Sequence, residues 1–570
     1  MSSDWRFAVC DALEKVVPGA EPRPLDPELG PLSFPGGTAT FQVAFRPPAT
    51  RSLDGVGRLR AEVEVTGGAS AALFRVELVP VALPAFQPHD DGYLDDVPGL
   101  YPDLLRPLAP GDAFVPLLAG WSSVWVETTL PSDAPGGTIE VTVRLRQATT
   151  GAVLFAHRQP IEVSPLALPE PAIAHTEWVH IDSIADHYGV EVFSEEHWRI
   201  VERFLVKARE LGIDTLLTPV WSPPLDTAIG TYRPNIQLID IDETPDGICI
   251  DFTRLARWIR LCRRVGIRTL EIPPLFSQWG ATSAASFITT GQRGTVRRFG
   301  WATPADAPEY RAFLRELLPS LKEFLDREWG LREVHFHLSD EPTAETADTY
   351  GRARRGVADL LAGCIVIDAL SDVELVRTGL VPTPIVASTA VGSFAAAGIH
   401  RTWVYYCVAQ QDDVSNRFIA QPAARTRAIG AQLFVGGHVG FLHWAFAFYY
   451  DQYSERSVDP FSDTCAGGAY PGGDTFLVYP GPDGEPWPSI RFRAIADAME
   501  DHRLLTLSRS VLGTAATRAA LAPEGSWSLD DWPRDPEAIL RVRRRLVDGL
   551  TAVRGSGGLP SASGSLEPLG

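Results

Sequence analysis

Cysteine is scarce in this chain and scattered where it occurs. Cys10, Cys249, Cys262, Cys364, Cys407 and Cys465 stand far apart with no C-x-x-C pair, a spacing that offers neither a disulfide framework nor a thiolate zinc site. Basic charge is also short: 51 Lys plus Arg face 71 Asp plus Glu, a net charge of −20. Nucleic acids and anionic membranes are polyanions, so this balance argues against either as a partner. A neutral or cationic small ligand fits better. No stretch approaches the ~18 apolar residues that a membrane span requires. The opening "MSSDWRFAVCDALEKVVPG" has no basic leader, apolar core or cleavage site, which makes the cytoplasm the expected location.

With 45% hydrophobic and 21% charged residues over 570 positions, the chain can bury a large core divided among two or three domains. From about residue 31 to 165 short β-branched and aromatic segments such as "TATFQVAFRP", "RLRAEVEV" and "TIEVTVRLRQ" alternate with Gly/Pro turns, the pattern of an antiparallel β-sandwich. The proline-rich "SPLALPEPAIA" reads as a linker. Beyond it strands alternate with helices. Strands are expected at "HTEWVHIDS", "IDTLLTPV", "IRTLEIPPLF", "EVHFHLS", "CIVIDAL", "TPIVAST", "TWVYYCV" and "VGFLHWAF", eight in all, which predicts a (β/α)₈ barrel of the TIM type. The expected domains are about 1–168, 169–510 and 511–570, the last a basic amphipathic helix, "DDWPRDPEAILRVRRRLVDGLTAV", followed by a Gly/Ser/Pro tail that lacks the means to hold structure.

Barrel enzymes work at the C-terminal ends of their strands. Here those ends carry His180 and Asp182, Trp221 and Asp226, Gln278 and Trp279, Asp340 and Glu341, Asp368 and Asp372, Tyr405 and Tyr406, and His443 and Trp444. Aromatic faces among hydrogen-bonding groups suit a sugar, with its apolar C–H face and polar rim. Neighbouring strand residues point to opposite sides, so Tyr405, which precedes a second tyrosine, is as fit for core packing as for ligand contact. The adjacent acids Asp340 and Glu341, in "VHFHLSDEPTAETADTY", admit two readings. Acidic residues followed by proline suit a first helical turn. As a catalytic pair they cannot oppose each other across a sugar ring, which takes about 5 Å or more. They can serve a substrate that supplies its own nucleophile, a 2-acetamido oxygen, with one acid stabilising the acetamido group and the other protonating the leaving oxygen. His335 and His337 form a His-x-His pattern compatible with a divalent metal, with His180, His443 or Asp368 as further ligands.

The segments "EWVHIDSIADHYGVEVFSEEHW", "TPVWSPPLDT", "LFSQWGA", "HFHLSDEP", "NRFIAQPAARTRAIGAQL", "GFLHWAF" and "GGDTFLVYPGPDG", in that order between about residues 174 and 507, resemble the domain of unknown function 4091, the catalytic barrel of glycoside hydrolase family 123. Upstream, "GLYPDLLRPL" and "WVETTLPSDAPGG" resemble that family's N-terminal domain. The resemblance implies a retaining β-N-acetylgalactosaminidase acting through substrate assistance, with Asp340 as acetamido stabiliser and Glu341 as general acid/base. It also implies that Tyr405 or Tyr406 faces the acetamido group and that Trp444 lies at the floor of the sugar site; Asp474, in "GGDTFLVYPG", sits in a family signature, with capping or bracing of the loop after strand eight as its plainer role. Where the family often has Gly-aromatic-Asn after that tryptophan, this chain has Ala445, Phe446 and Ala447, which removes a possible sugar contact.

The expected site is therefore Asp340 and Glu341 for catalysis, with His180, Asp182, Gln278, Trp279, Tyr405, Tyr406, His443 and Trp444 around a small glycan or glycoside. No metal or other cofactor is implied, and the oligomeric state is left open. Two alternatives stand beside this reading: a non-catalytic carbohydrate-binding protein on the same scaffold, and a metal-dependent barrel hydrolase built on His335 and His337. In the sandwich, the Asp90, Asp91, Asp95 and Asp96 loop is the one acidic cluster, placed to reach a barrel mouth, while the rest of that domain is expected to serve stability.

Overall fold

The computed structural model describes residues 5–48, 56–118, 120–292 and 294–555. The chain divides into two compact units, one gathering Met1–Ala172, Ser415–Val435 and Trp487–Gly570, the other Ile173–Val414 and Gly436–Pro486.

The first unit contains the sandwich. A five-stranded antiparallel sheet runs Arg6–Asp11, Thr38–Arg46, Ser122–Thr129, Ser70–Val81, Gly99–Leu108, and a four-stranded sheet runs Leu32–Ser33, Val153–Val163, Gly137–Gln147, Leu59–Val65. Alternation fixes the inner face: Ile139, Val141, Val143 and Leu145 are buried and meet Phe41, Val43, Val124 and Val126 in one core. Both edge strands of the five-stranded sheet go beyond the sequence-based expectation. Gly99–Leu108 carries Pro102 and Pro107, which an edge position tolerates and a central one does not.

The helices of this unit, Ala423–Arg427, Ile429–Val435, Ile490–Leu512, Thr514–Leu521 and Ala538–Gly555, share a second core with Phe74, Leu105 and Trp125 of the five-stranded sheet. The basic amphipathic C-terminal helix thus packs its apolar face into this core, and the Gly/Ser/Pro tail expected without structure lies, from residue 556 on, outside the described residues. Ile490–Leu512 buries residues on every side, so it has no single apolar stripe to orient it. Its Arg491 meets Asp103 with two hydrogen bonds, 2.9 and 2.8 Å, both side chains fully buried.

The second unit is a closed barrel of eight parallel strands in chain order: Ala174–Glu177, Thr215–Leu217, Thr269–Ile272, Val334–His337, Ile365–Leu370, Thr383–Ala387, Trp403–Tyr405 and Gly440–His443. All eight overlap the segments expected to be strands. Closure pairs the first strand with the eighth from Ala174–Gly440 to Glu177–His443. Gly440 is required there, since a Cβ would stand 2.2 Å from the Trp403 ring. A further four-stranded sheet, Gly247–Asp251, Asp240–Thr244, Phe287–Gly291, Gly294–Phe299, is built from the connections after the second and third strands. No helix among the described residues is long and apolar enough to cross a membrane.

Candidate active site

The fourth barrel strand, Val334–His337, ends three residues before Asp340. Residues 338–341 are held from both neighbouring strands. The Leu338 and Ser339 amides donate to Asp368 Oδ1 at 2.9 and 3.2 Å, the Ser339 hydroxyl donates to the Ser277 carbonyl at 2.7 Å, and the Glu341 amide donates to the Ala369 carbonyl at 3.1 Å. The Trp279 amide donates to the Asp340 carbonyl at 2.8 Å. Glu341 and Trp279 have φ of +44° and +60°, left-handed conformations that cost non-glycine residues of order 1–3 kcal/mol and persist where the surroundings enforce them. The next helix runs Ala347–Val357, preceded by a turn that Thr343 and Thr346 cap reciprocally. Asp340 and Glu341 therefore do not cap it, and the helix-opening reading of the pair falls away.

Both acids open on a cavity of about 680 Å³ that continues into solvent. Gln278, Trp279, Tyr405 and Trp444 line it with them, as do Trp178, Asp226 and Tyr470. The Tyr405 hydroxyl donates to Glu341 Oε1 at 2.7 Å. Trp444 is braced by a 2.8 Å hydrogen bond from its Nε1 to Asp474 Oδ2 and edge contact with Tyr470. Burial pushes the Asp340 pKa well above the ordinary aspartate value, and the adjacent Glu341 pushes it further. Glu341 is raised as well, by burial, against the opposing pull of the Tyr405 hydrogen bond. Both shifts run toward the protonated form, the direction a general acid needs.

Beneath the cavity lies a buried charge network. His337 Nε2 is hydrogen-bonded to Glu271 Oε1, and its Nδ1 stands 3.6 Å from Asp368 Oδ1. Burial alone lowers the pKa of a histidine. Here the Glu271 and Asp368 carboxylates outweigh it and raise His337 to about 10, so the ring is an imidazolium. Glu271 also accepts from Thr176 Oγ1 at 2.8 Å and Trp178 Nε1 at 2.9 Å, which orients a cavity wall through the same carboxylate.

Of the substrate-binding residues expected from sequence, Gln278, Trp279, Tyr405 and Trp444 line the cavity and four do not. His180 is buried with Nε2 2.8 Å from the Trp444 carbonyl and Nδ1 3.3 Å from Arg233 Nη1. Asp182 pairs with Arg233 at 2.9 Å. Tyr406 is fully buried against Phe441 and His443 on the strand face opposite Tyr405. His443 lies 3.5 Å from Asp474. None of the four lines this cavity; Asp182 and Arg233 line a separate pocket. His337 has its Nε2 engaged by Glu271, and no group of three metal-ligating side chains among the described residues includes His335 or His337. Asp90 of the sandwich loop makes a bidentate pair with buried Arg425, both contacts at 2.7 Å.

The sequence profile of the glycoside hydrolase 123 catalytic domain matches residues 178–508. The chain belongs to that family. A family 123 glycoside hydrolase from Clostridium perfringens, whose structure is described for glycolipid glycan hydrolysis, shares the fold at a TM-score of 0.68 and 12% identity, over 97% of this chain and 98% of that one. A β-glucuronidase from Ruminococcus gnavus aligns at a TM-score of 0.34 and 10% identity, over 81% of this chain and 66% of that one, a likeness too slight to argue from. No curated protein matches by sequence. As a member of family 123 the protein is a glycoside hydrolase. Ala445, Phe446 and Ala447, which stand where family 123 often has Gly-aromatic-Asn, are fully buried and absent from the cavity lining.

Sequence reasoning missed three contributors. Trp178 follows the first strand directly and was recoverable, because it alternates with Thr176 on the inward side. Glu271 sits inside a strand as a buried acid, a polar residue among apolar ones in "TLEI". Tyr470 lies in the long connection after the eighth strand, where no periodicity marks which side chain returns to the barrel.

Proposed function

We propose that the protein is a retaining, exo-acting glycosidase that removes a terminal β-linked N-acetylhexosamine, N-acetylgalactosamine foremost, by substrate-assisted catalysis. The observation that carries this reading is the pair itself: two acids adjacent in the chain, neither capping a helix, both open to one cavity walled by Trp178, Trp279, Tyr405 and Trp444. Adjacent carboxyls cannot flank a sugar ring from opposite faces. The nucleophile must then come from elsewhere, and the 2-acetamido oxygen of the sugar is suitably placed.

In the first step that oxygen bonds to the anomeric carbon while the bond from this carbon to the leaving oxygen breaks, and Glu341 delivers its proton to that oxygen. Positive charge grows on the acetamido nitrogen as an oxazolinium forms. Asp340 accepts the nitrogen's N–H, and the growing cation favours its ionised form, so the proton held by the pair resides on Glu341. Water then attacks the anomeric carbon with Glu341 as base, the oxazolinium reopens, and the sugar leaves with its configuration retained. The Tyr405 hydroxyl, 2.7 Å from Glu341 Oε1, orients the acid/base for both steps.

Hydrolysis of a panel of 4-nitrophenyl β-glycosides, both N-acetylhexosaminides and their non-acetylated counterparts, tests the reading. It predicts release from the acetamido sugars alone, with the β-anomer as first product. Activity confined to non-acetylated sugars contradicts it.

A further inference from the structure

The proposed chemistry uses two acids, and the cavity holds a third. Asp226 lies in the connection after the second barrel strand and lines the same space as Asp340 and Glu341. Its backbone is left-handed, φ +40°, and is clamped from two other segments. Its amide donates to Gln278 Oε1 at 2.6 Å, and its carbonyl accepts from Ser454 Oγ at 2.7 Å. Tyr453 and Ser454, on the facing segment, are left-handed too, φ +63° and +56°. Strain gathered in this way marks places where the surroundings fix a side chain for use.

The side chain is under-used by the protein. Oδ1 accepts from the Tyr470 hydroxyl at 3.0 Å and the Tyr453 backbone also supports the carboxylate, but no side chain donates to buried Oδ2. An ionised carboxylate accepts about four hydrogen bonds, and a carboxylate kept for structure takes a nearby guanidinium when one is present. Arg233 is near enough to be felt by Asp226, yet its Nε is committed to Asp182 at 2.9 Å. Burial raises Asp226 to about 6 against the Tyr470 hydrogen bond, so at neutral pH it is mostly an anion short of donors at the edge of the cavity.

We infer that Asp226 is a specificity-determining residue, accepting a hydrogen bond from one hydroxyl group of the sugar bound in the cavity. The inference rests on the glycosidase reading above. It accounts for the strain, the missing donors and the position with one contact. A sugar that lacks the hydroxyl, or turns it away, leaves a desolvated carboxylate unpaired, which is how a polar pocket rejects an analogue. The competing role is purely structural, a brace that holds Tyr470 and the 452–454 segment.

The experiment is a cycle between protein and sugar. Wild type, Asp226→Asn and Asp226→Ala are compared on the parent 4-nitrophenyl β-glycoside and on its 3-, 4- and 6-deoxy forms, both as kcat/KM and as Kd of the free sugars by calorimetry. The proposal expects Asp226→Ala to lose about 10- to 100-fold on the parent, the range for a hydrogen bond to a charged group. One deoxy form, already poor with wild type, should lose no more than about twofold further. Asp226→Asn keeps an acceptor and the side-chain volume, so it should fall between the two and remain readable if the alanine variant folds badly. An equal loss on every deoxy form and on the parent overturns the proposal and leaves Asp226 as a brace. Cleavage restricted to non-acetylated glycosides refutes substrate assistance instead, and the same cycle run on those glycosides still decides the role of Asp226.

Discussion

Replacing His337 with glutamine removes the cation between two buried carboxylates. Glu271 and Asp368 are both fully buried, and breaking a buried pair by deleting one partner costs about 3–5 kcal/mol. The lower end applies, because each carboxylate keeps other donors: Thr176 and Trp178 for Glu271, and the Leu338 and Ser339 amides with the Tyr350 hydroxyl for Asp368. A rise from 6.5 to about 10 corresponds to several kcal/mol by linkage, consistent with a loss of about 3 kcal/mol at neutral pH. Because the folded-state value is raised, the imidazolium contributes fully below pH 6.5 and its contribution fades as pH rises through about 10. The stability gap between wild type and His337→Gln should therefore narrow over that window. His337 also favours the ionised form of Asp340, so the variant's acid limb of kcat/KM should move to higher pH. Urea denaturation at several pH values, with a pH–rate profile, reads both effects. A variant as stable as wild type at pH 7, with an unmoved acid limb, refutes a charged His337.

Tyr405→Phe deletes the hydroxyl donated to Glu341. Since that bond lowers the Glu341 pKa, its loss should shift the basic limb of kcat/KM upward and slow turnover about tenfold; an unchanged rate and limb, measured on the same glycoside, contradict this. Arg491→Met removes the bidentate partner of fully buried Asp103 and should destabilise by about 3–5 kcal/mol in chemical denaturation, with much of the loss recovered when Asp103→Leu is added. A single variant within about 1 kcal/mol of wild type, judged against that expectation, rules out a strong role for the pair.

Much of the barrel was legible because its strands are short apolar runs between helical patterns. "IVIDAL" and "TPIVA" leave little else to be, and all eight segments became strands. The sandwich showed itself through alternation in "TIEVTVRLRQ", while Arg6–Asp11 and Gly99–Leu108 carried no strand pattern. As edge strands they carry charges and prolines that blur the period-two signal. The second and third connections fold into a small sheet of their own, which a count of barrel strands does not anticipate.

At the site, adjacency made Asp340 and Glu341 conspicuous, and the position of strand ends brought in Gln278, Trp279, Tyr405 and Trp444. Strand-end position alone could not separate residues facing the cavity from those behind it. His180, Asp182, Tyr406 and His443 are as polar as the residues that line the cavity, but each lies outside that lining, held by a partner or by packing that only the closed barrel supplies. Asp226 shows the converse: its place beside the cavity depends on a left-handed turn and on Tyr470 arriving from some 240 residues away.

The most direct measurement compares Glu341→Gln and Asp340→Asn on alkyl and 4-nitrophenyl β-N-acetylhexosaminides, with thermal melts of both variants. If Glu341 protonates the leaving oxygen, its amide variant should lose alkyl glycoside turnover while sparing much of the activity on 4-nitrophenyl glycosides, whose aglycone departs without a proton. Asp340→Asn should slow both substrates alike, because the oxazolinium forms before either product leaves. Equal losses on both substrates for Glu341→Gln, or full activity in either variant, contradict the assignment of the pair.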